Sequence, residues 1–208
     1  MSMLHVWGRT SSINVRKVVW TVQELGLTLQ RTDAGGHFGI VLEPEFLAKN
    51  PNALVPLLED GDVTLWESNV IVRYLCAKYS PGNFYPENLR ERFVAEQWMD
   101  WQQTTLNPAG RHAFVQLVRV APEQRKLDWI AASNAETEPL MALLDAHLGK
   151  QAYLAGERFT MADIPVACEV HRWINLPQAQ VPRPNIERWY AEILARPGAI
   201  GVLDQALS

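Results

Sequence analysis

The chain has 208 residues, 48 % of them apolar, and 19 Lys and Arg stand against 23 Asp and Glu, for a formal charge of −4. A chain of this length hides roughly 70 % of its unfolded surface on folding, so it needs neither a metal nor a disulfide framework to hold together. The mild acidity, without any block of Lys or Arg, argues against nucleic-acid or anionic-membrane binding, and no apolar segment approaches the ~18 to 20 residues of a membrane span. Met1 to His5 do not lead from basic to apolar residues as a secretory signal does, so the expected location is the cytoplasm. Cys76 and Cys168 each sit in an apolar, helix-like run and there is no CxxC, which reads as two structural thiols without disulfide exchange.

Residues 3–8 read as a short strand ended by Gly8, and Val15, Val18, Val19, Val22 and Leu25 then recur at helical spacing. Leu27 to Arg31 suits a second strand, and a Gly-rich stretch from Ala34 to Gly39 leads to a short helix around Glu43 to Lys49, broken by Asn50-Pro51-Asn52. Val55 to Leu58 and Val63 to Trp66 flank Glu59-Asp60-Gly61-Asp62, the pattern of a hairpin. The helical period returns from Glu67 to Tyr79.

Ser80-Pro81-Gly82-Asn83 and Tyr85-Pro86 break the chain, and no strand pattern follows. Helices are predicted from Leu89 to Leu106, Arg111 to Arg119, Pro122 to Leu148, Met161 to Ile174 and Pro184 to Ala195. The division is therefore an α/β domain over residues 1–79, a linker over 80–87 and an all-helical domain over 88–208. Thr160 and Asp163 have the spacing of a capping box: Thr160 can cap the amide of Asp163, Asp163 can reach back, and Phe159 and Ile164 can act as a staple. Asp163 is accordingly read as structural.

Four segments, in this order, resemble the cytosolic glutathione transferase family: Arg9 to Val18, Asn50 to Leu58, Leu65 to Leu75, and Phe159 to Ile164. The resemblance covers essentially the whole chain and is strongest to bacterial, Ser-type (theta- or nu-like) members. It implies a thioredoxin-like N-terminal domain that binds glutathione and an all-α C-terminal domain that carries the electrophile site. It also implies a cytoplasmic homodimer, no metal, and transfer of glutathione to a small electrophile in detoxification. Isomerisation or dehalogenation through the same thiolate, and a non-catalytic binding or regulatory role, are the alternatives.

A free thiol of pKa about 8.5 is only roughly 3 % ionised at pH 7, and lowering that pKa by about two units requires about 2.7 kcal/mol. One hydrogen bond to a charged group supplies about 1.5 to 3 kcal/mol, and a helix N-terminus adds about 0.3 to 1 kcal/mol. A single hydroxyl at a helix start is therefore sufficient. Thr10, Ser11 and Ser12 offer hydroxyls and Asn14 an amide, and the same side chains can instead cap the helix. The resemblance places the thiol's partner at Ser12, with Ser11 and Asn14 next and Thr10 among the glutathione-binding residues. Arg16 is expected to pair with a core acid or to hold the helix in place.

Val55-Pro56 resembles the family's cis-proline step, whose preceding backbone pairs with the cysteinyl part of glutathione. Relatives often have a polar or basic residue where this chain has Leu54, which leaves His37, Lys49 or Asn52 to meet the glycyl carboxylate. Glu67-Ser68 stands where a strand passes to a helix, suited to the ammonium and carboxylate of a γ-glutamyl group. For the electrophile, Trp7, Phe38, Trp101, Phe114 and Trp173 offer an apolar wall. Arg111 and Arg119 share a helix face that Arg9 can join, either as solvated charge or as an anion site. Trp98 to Trp101 with Arg73 and Tyr74 offer a dimer face.

Overall fold

The computed structural model describes residues 3–207. The first domain runs β1 (Leu4–Trp7), α1 (Ile13–Glu24), β2 (Leu29–Thr32), α2 (Pro44–Lys49), β3 (Leu57–Asp60), β4 (Val63–Trp66) and α3 (Ser68–Tyr79). The strands form one sheet in the order β2-β1-β3-β4, with β1 parallel to β2 and antiparallel to β3. β3 and β4 pair as the expected hairpin, with Asp60 opposite Val63 and Gly61 in the left-handed region at φ 64°.

Period-two alternation in β1 turns Leu4 and Val6 to one face, where they pack with Val18 and Val22 of α1, Leu58 of β3, and Ile71 and Leu75 of α3. His5 and Trp7 point to the other face, where Phe46 of α2 meets the Trp7 ring edge-on at 6.2 Å. The third strand starts two residues later than the apolar pattern suggests. The Asn50 side chain donates to the Leu54 carbonyl at 2.8 Å and accepts from the Asn52 amide at 3.1 Å, which holds residues 50–54 as a turn.

The second domain is helical: α4 (Leu89–Trp101), α5 (Asn107–Phe114), α6 (Leu127–Leu148), α7 (Asp163–Ile174) and α8 (Pro184–Leu194). Asn88 caps α4 by accepting from the amides of Arg90 and Glu91 at 2.9 and 3.2 Å. The predicted gap between residues 106 and 111 does not exist. The π-helical turn Gln102–Leu106 joins α4 directly to α5, with Pro108 in the first turn of α5, and a second π-helical turn, Val115–Arg119, extends it. The predicted helix from Pro122 is only a 3-10 turn at first, with α6 proper beginning at Leu127.

Residues Asp163 to Trp173 of α7 are all buried, so α7 is the central helix. Trp20 of α1 packs into the same core as Met99, Leu144, Val166 and Trp189, so α1 serves both domains. Arg196 donates to both Glu24 oxygens at 2.9 and 2.8 Å and lies 3.8 Å from the Phe159 ring centroid, a second tie between the domains.

The Thr160–Asp163 box differs in one arm from the expected form. Asp163 Oδ2 accepts from the Thr160 amide at 2.8 Å, but the Asp163 amide donates to the Thr160 carbonyl at 3.1 Å, leaving Thr160 Oγ1 to accept from Ala162 at 3.4 Å. Asp163 Oδ1 also accepts from the Leu154 amide at 3.1 Å and from Trp189 Nε1 at 3.0 Å. One carboxylate thus joins α7, α8 and the loop after α6.

Candidate active site

Ser12 occupies the N-cap of α1 in extended conformation, and its carbonyl accepts from the Arg16 amide at 3.0 Å. Its side chain caps no amide. Ser12 lines the interdomain cleft beside the first amides of α1, which have no intrahelical partner and carry the positive end of the helix dipole. Ser11, Ser12 and Asn14 line an interdomain cleft of about 390 Å³ together with Val55 of the first domain and Phe114 of the second. Thr10 is not among its lining residues, and its carbonyl accepts from Arg16 Nε at 2.8 Å. Arg16 forms no ion pair with an acid among the described residues. Its guanidinium also donates to the carbonyls of Gln205 and Ala206, at 3.3 and 2.8 Å, which fixes the C-terminal segment against the start of α1.

A smaller cavity of about 120 Å³ shares Asn14, Leu54 and Val55 with the cleft, so the two adjoin at these residues, and the pair is termed the channel. Asn50, Asn52, Pro56, Trp66, Glu67, Ser68 and Gln103 complete its lining. The Val55–Pro56 peptide is cis. Glu67 precedes α3 at φ 71°, a conformation that costs a non-glycine residue about 1 to 3 kcal/mol and is found mainly at functional sites. Its side chain is exposed, whereas Ser68 is buried with Oγ 3.3 Å from Asn14 Oδ1. Of the residues considered for the glycyl carboxylate, only Asn52 lines this channel. His37 is exposed and lies against Phe38, and Lys49 pairs with Glu59 at 3.0 Å.

The sequence reading missed Lys17. It is fully buried, and its ammonium donates to Gln102 Oε1 at 2.9 Å, Asn69 Oδ1 at 3.2 Å, Gln103 Oε1 at 3.3 Å and Ser68 Oγ at 3.5 Å. Burial lowers its pKa to about 8, opposed by the negative charges of Glu169 and Glu67. Gln102 Nε2 donates to Glu169 at 3.0 Å, and Glu169 pairs with Arg172, which borders the cleft. Ser68, Lys17, Gln102, Glu169 and Arg172 therefore form one buried polar line between the two ends of the channel.

Of the residues considered for the electrophile, Arg9, Arg111, Phe114 and Arg119 line the cleft. Trp7 and Phe38 do not. Trp7 is held on the opposite face of the sheet by its indole bond to Glu59 at 2.6 Å and its contact with Phe46, and Phe38 is exposed beside His37. Trp101 packs edge-on against Trp98, and Trp173 borders a separate cavity with Tyr190 and Gln180. Both cysteines are buried, which pushes their thiols up to about 12, so neither offers a thiolate near neutrality. Among the described residues no helix is long and apolar enough to cross a membrane, and no group of three or more His, Cys, Asp or Glu is placed to hold a metal ion.

Residues 2–77 match the model of the glutathione S-transferase N-terminal domain, and residues 109–197 match that of the C-terminal domain. The glutathione S-transferase GstB of Escherichia coli K12 is 44 % identical over 197 residues, covering 94 % of this chain and 95 % of the relative. Glutathione S-transferase 3 of Zea mays is 31 % identical over 206 residues, covering 95 % and 91 %. Among solved structures, the theta class glutathione S-transferase of Xanthomonas axonopodis pv. citri with glutathione bound superposes with a TM-score of 0.95 at 38 % identity, covering 100 % of both chains. The chain belongs to the glutathione S-transferase family, with the thioredoxin-like and all-helical domains of that fold, and is a transferase of that family.

Proposed function

We propose that this chain binds glutathione along the channel, holds its thiol as a thiolate at Ser12, and transfers the sulfur to a small electrophile in the interdomain cleft. The observation that carries the reading is adjacency: the start of α1, the Val55–Pro56 step and the Glu67–Ser68 corner line two adjoining cavities that share Asn14, Leu54 and Val55. In this reading the γ-glutamyl ammonium meets Glu67 and its carboxylate meets Ser68 and the first amides of α3, with the Lys17 cation behind Ser68. The cysteinyl part pairs with the Val55 backbone, and Asn52 is the side chain available to the glycyl end. The thiol then reaches Ser12, where a donated hydrogen bond and the α1 dipole favour the thiolate.

Residues 1–79 form the glutathione domain and residues 88–208 the electrophile domain, joined by 80–87. Detoxification in the cytoplasm as a homodimer completes the reading. Trp98 and Met99 are buried, so the proposed dimer face uses other exposed apolar side chains, Val70 of α3 and Leu89 and Phe93 of α4. The test is an ultraviolet difference titration of protein with glutathione from pH 5 to 9, for wild type and Ser12→Ala. A thiolate band with a pKa well below that of free glutathione, shifted up by one unit or more in Ser12→Ala, is expected. Binding with no shifted pKa overturns activation, and an unchanged pKa in Ser12→Ala overturns the assignment to Ser12.

A further inference from the structure

The Lys17 ammonium is fully buried and bonds only to neutral oxygens, those of Ser68, Asn69, Gln102 and Gln103. Among the described residues no carboxylate pairs with it. The charged neighbours on α7 do not balance it: Glu169 is itself paired with Arg172, both are buried, and Glu169 reaches Lys17 only through the Gln102 amide. These three buried groups leave one positive charge over. Cys168 on the same helix offers no thiolate near neutrality, because burial pushes its thiol up to about 12, and Glu67 before α3 is exposed to solvent. A buried charge is costly unless it is paired, so an unpaired one calls for a partner from outside the chain.

The fold leaves a place for that partner. Of the four acceptors, Ser68 and Gln103 also line the smaller cavity, so the ammonium stands one side chain behind its wall. Lys17 has three N–H groups for four acceptors, and the longest contact, 3.5 Å, is the one to Ser68. Ser68 Oγ in turn donates to Asn14 Oδ1 at a long 3.3 Å. An anion on the cavity side would take that hydroxyl proton in a shorter, charge-assisted bond while the hydroxyl oxygen accepts from Lys17, so the hydroxyl passes the field of the cation to the anion. Glu67, the residue before Ser68, lines the same cavity and supplies the opposite charge. The cavity thus sets a negative and a positive pole side by side, as the ammonium and carboxylate on one α-carbon require.

We propose that Lys17 is a positioning residue of this site: acting through Ser68, its ammonium is the counter-charge of the α-carboxylate of the γ-glutamyl group and selects ligands that carry one. The proposal rests on the glutathione reading above and adds the residue that balances the charge of the ligand. The pairing is mutual. Burial lowers the pKa of Lys17 to about 8, and an anion one hydroxyl away favours the protonated form, so that value rises when the carboxylate binds. The other charges that face Lys17, those of Glu169, Cys168 and Glu67, which raise its pKa, and that of Arg172, which lowers it, belong to the chain and are common to every ligand. Binding of a carboxylate therefore takes up a proton near pH 8 and weakens above it, whereas binding of a head group without a carboxylate does not.

The test uses S-methylated ligands, in which no thiol titrates: S-methylglutathione, an analogue with glutaryl in place of γ-glutamyl, which keeps the carboxylate and lacks the amine, and an analogue with 4-aminobutyryl, which keeps the amine and lacks the carboxylate. With a carboxyl pKa of about 4 and an amine pKa of about 10, neither analogue changes charge between pH 7 and 9. Affinities are measured by calorimetric displacement of S-methylglutathione from the full-length protein, wild type and Lys17→Met. In wild type the affinity of the glutaryl ligand relative to the aminobutyryl ligand is expected to fall by about fivefold or more between pH 7 and 9. In Lys17→Met at pH 7 the glutaryl ligand should lose about tenfold in affinity and the aminobutyryl ligand none, and the ratio should no longer depend on pH. A purely structural role of Lys17 would weaken both ligands alike, so equal losses overturn the proposal. A wild-type ratio that stays constant with pH overturns it too, whether or not the variant folds, as does a glutaryl ligand that does not bind where S-methylglutathione does. Failure of S-methylglutathione itself to bind wild type overturns the glutathione reading, and the proposal with it.

Discussion

Asp163→Ala tests whether one buried carboxylate joins the parts of the helical domain. Its removal leaves the amides of Leu154 and Thr160 and the indole Nε1–H of Trp189 without their acceptor. Each orphaned buried donor costs about 2 kcal/mol. Against this, burial pushes the Asp163 carboxyl up to about 6, so keeping it ionised at pH 7.5 already costs the native state about 3 kcal/mol, which the variant recovers. The net loss is about 3 kcal/mol at pH 7.5, a large share of the roughly 5 to 15 kcal/mol typical of a domain. The loss depends on pH in a determined direction. An acid whose folded pKa is raised contributes most at low pH, and that contribution disappears as pH rises through about 6. The gap between wild type and Asp163→Ala should therefore widen by roughly 1 kcal/mol on going from pH 7.5 to 5. His171, lowered by burial to about 4, titrates in an overlapping range with the opposite sign, but it is present in both proteins and cancels from the difference. Urea unfolding followed by circular dichroism and tryptophan fluorescence at both pH values measures the gap. A loss below about 1 kcal/mol at pH 7.5, or a gap that does not widen at pH 5, refutes the reasoning. Asp163 lies outside the channel lining, so the specific activity of the folded fraction should be unchanged.

The double substitution Glu67→Gln with Ser68→Ala should weaken glutathione binding by about 2 kcal/mol or more, read by calorimetry. A loss under about 0.5 kcal/mol would remove both residues from the γ-glutamyl site. Lys17→Met should remove a rise in stability with pH, because a lysine whose folded pKa is lowered to about 8 leaves the unfolded chain binding more protons above that value. Urea midpoints of wild type relative to Lys17→Met should therefore increase between pH 8 and 10, and a constant difference would show that Lys17 is not desolvated as described.

The elements most legible in the sequence were those in which one local rule acts alone. Valines at helical spacing made α1, Asp60-Gly61 made the hairpin turn, and the break after Tyr79 separated strand patterns from helices. Errors of register arose where a side chain overrode the pattern: Asn50 holds the chain back from the start of β3, and two π-helical turns carry the helical run across the residues that looked like a gap between Leu106 and Arg111. Ser12 was legible as a helix-start hydroxyl, but only the geometry shows that it caps no amide. Trp7 was misread because an aromatic near the active loop says nothing about which face of the sheet it takes, and its alternation with Val6 places it opposite the core shared by α1 and α3.

Lys17 was hidden for a different reason. A lysine one position before Val18 reads as the solvated flank of an amphipathic helix, because burying an ammonium is costly unless its hydrogen bonds are replaced. In this fold the replacements come from Ser68 and Asn69 at the start of α3 and from Gln102 and Gln103 in the π-helical turn. No window of sequence contains both groups. The same turn that joins α4 to α5 presents Gln102 to Lys17 and to Glu169, so the local departure from α-helical geometry and the burial of the cation are one feature. Its consequence is that the positive charge beneath Ser68 and the ion pair of Arg172 at the cleft are linked through a single amide side chain, which places the two ends of the channel in one electrostatic unit.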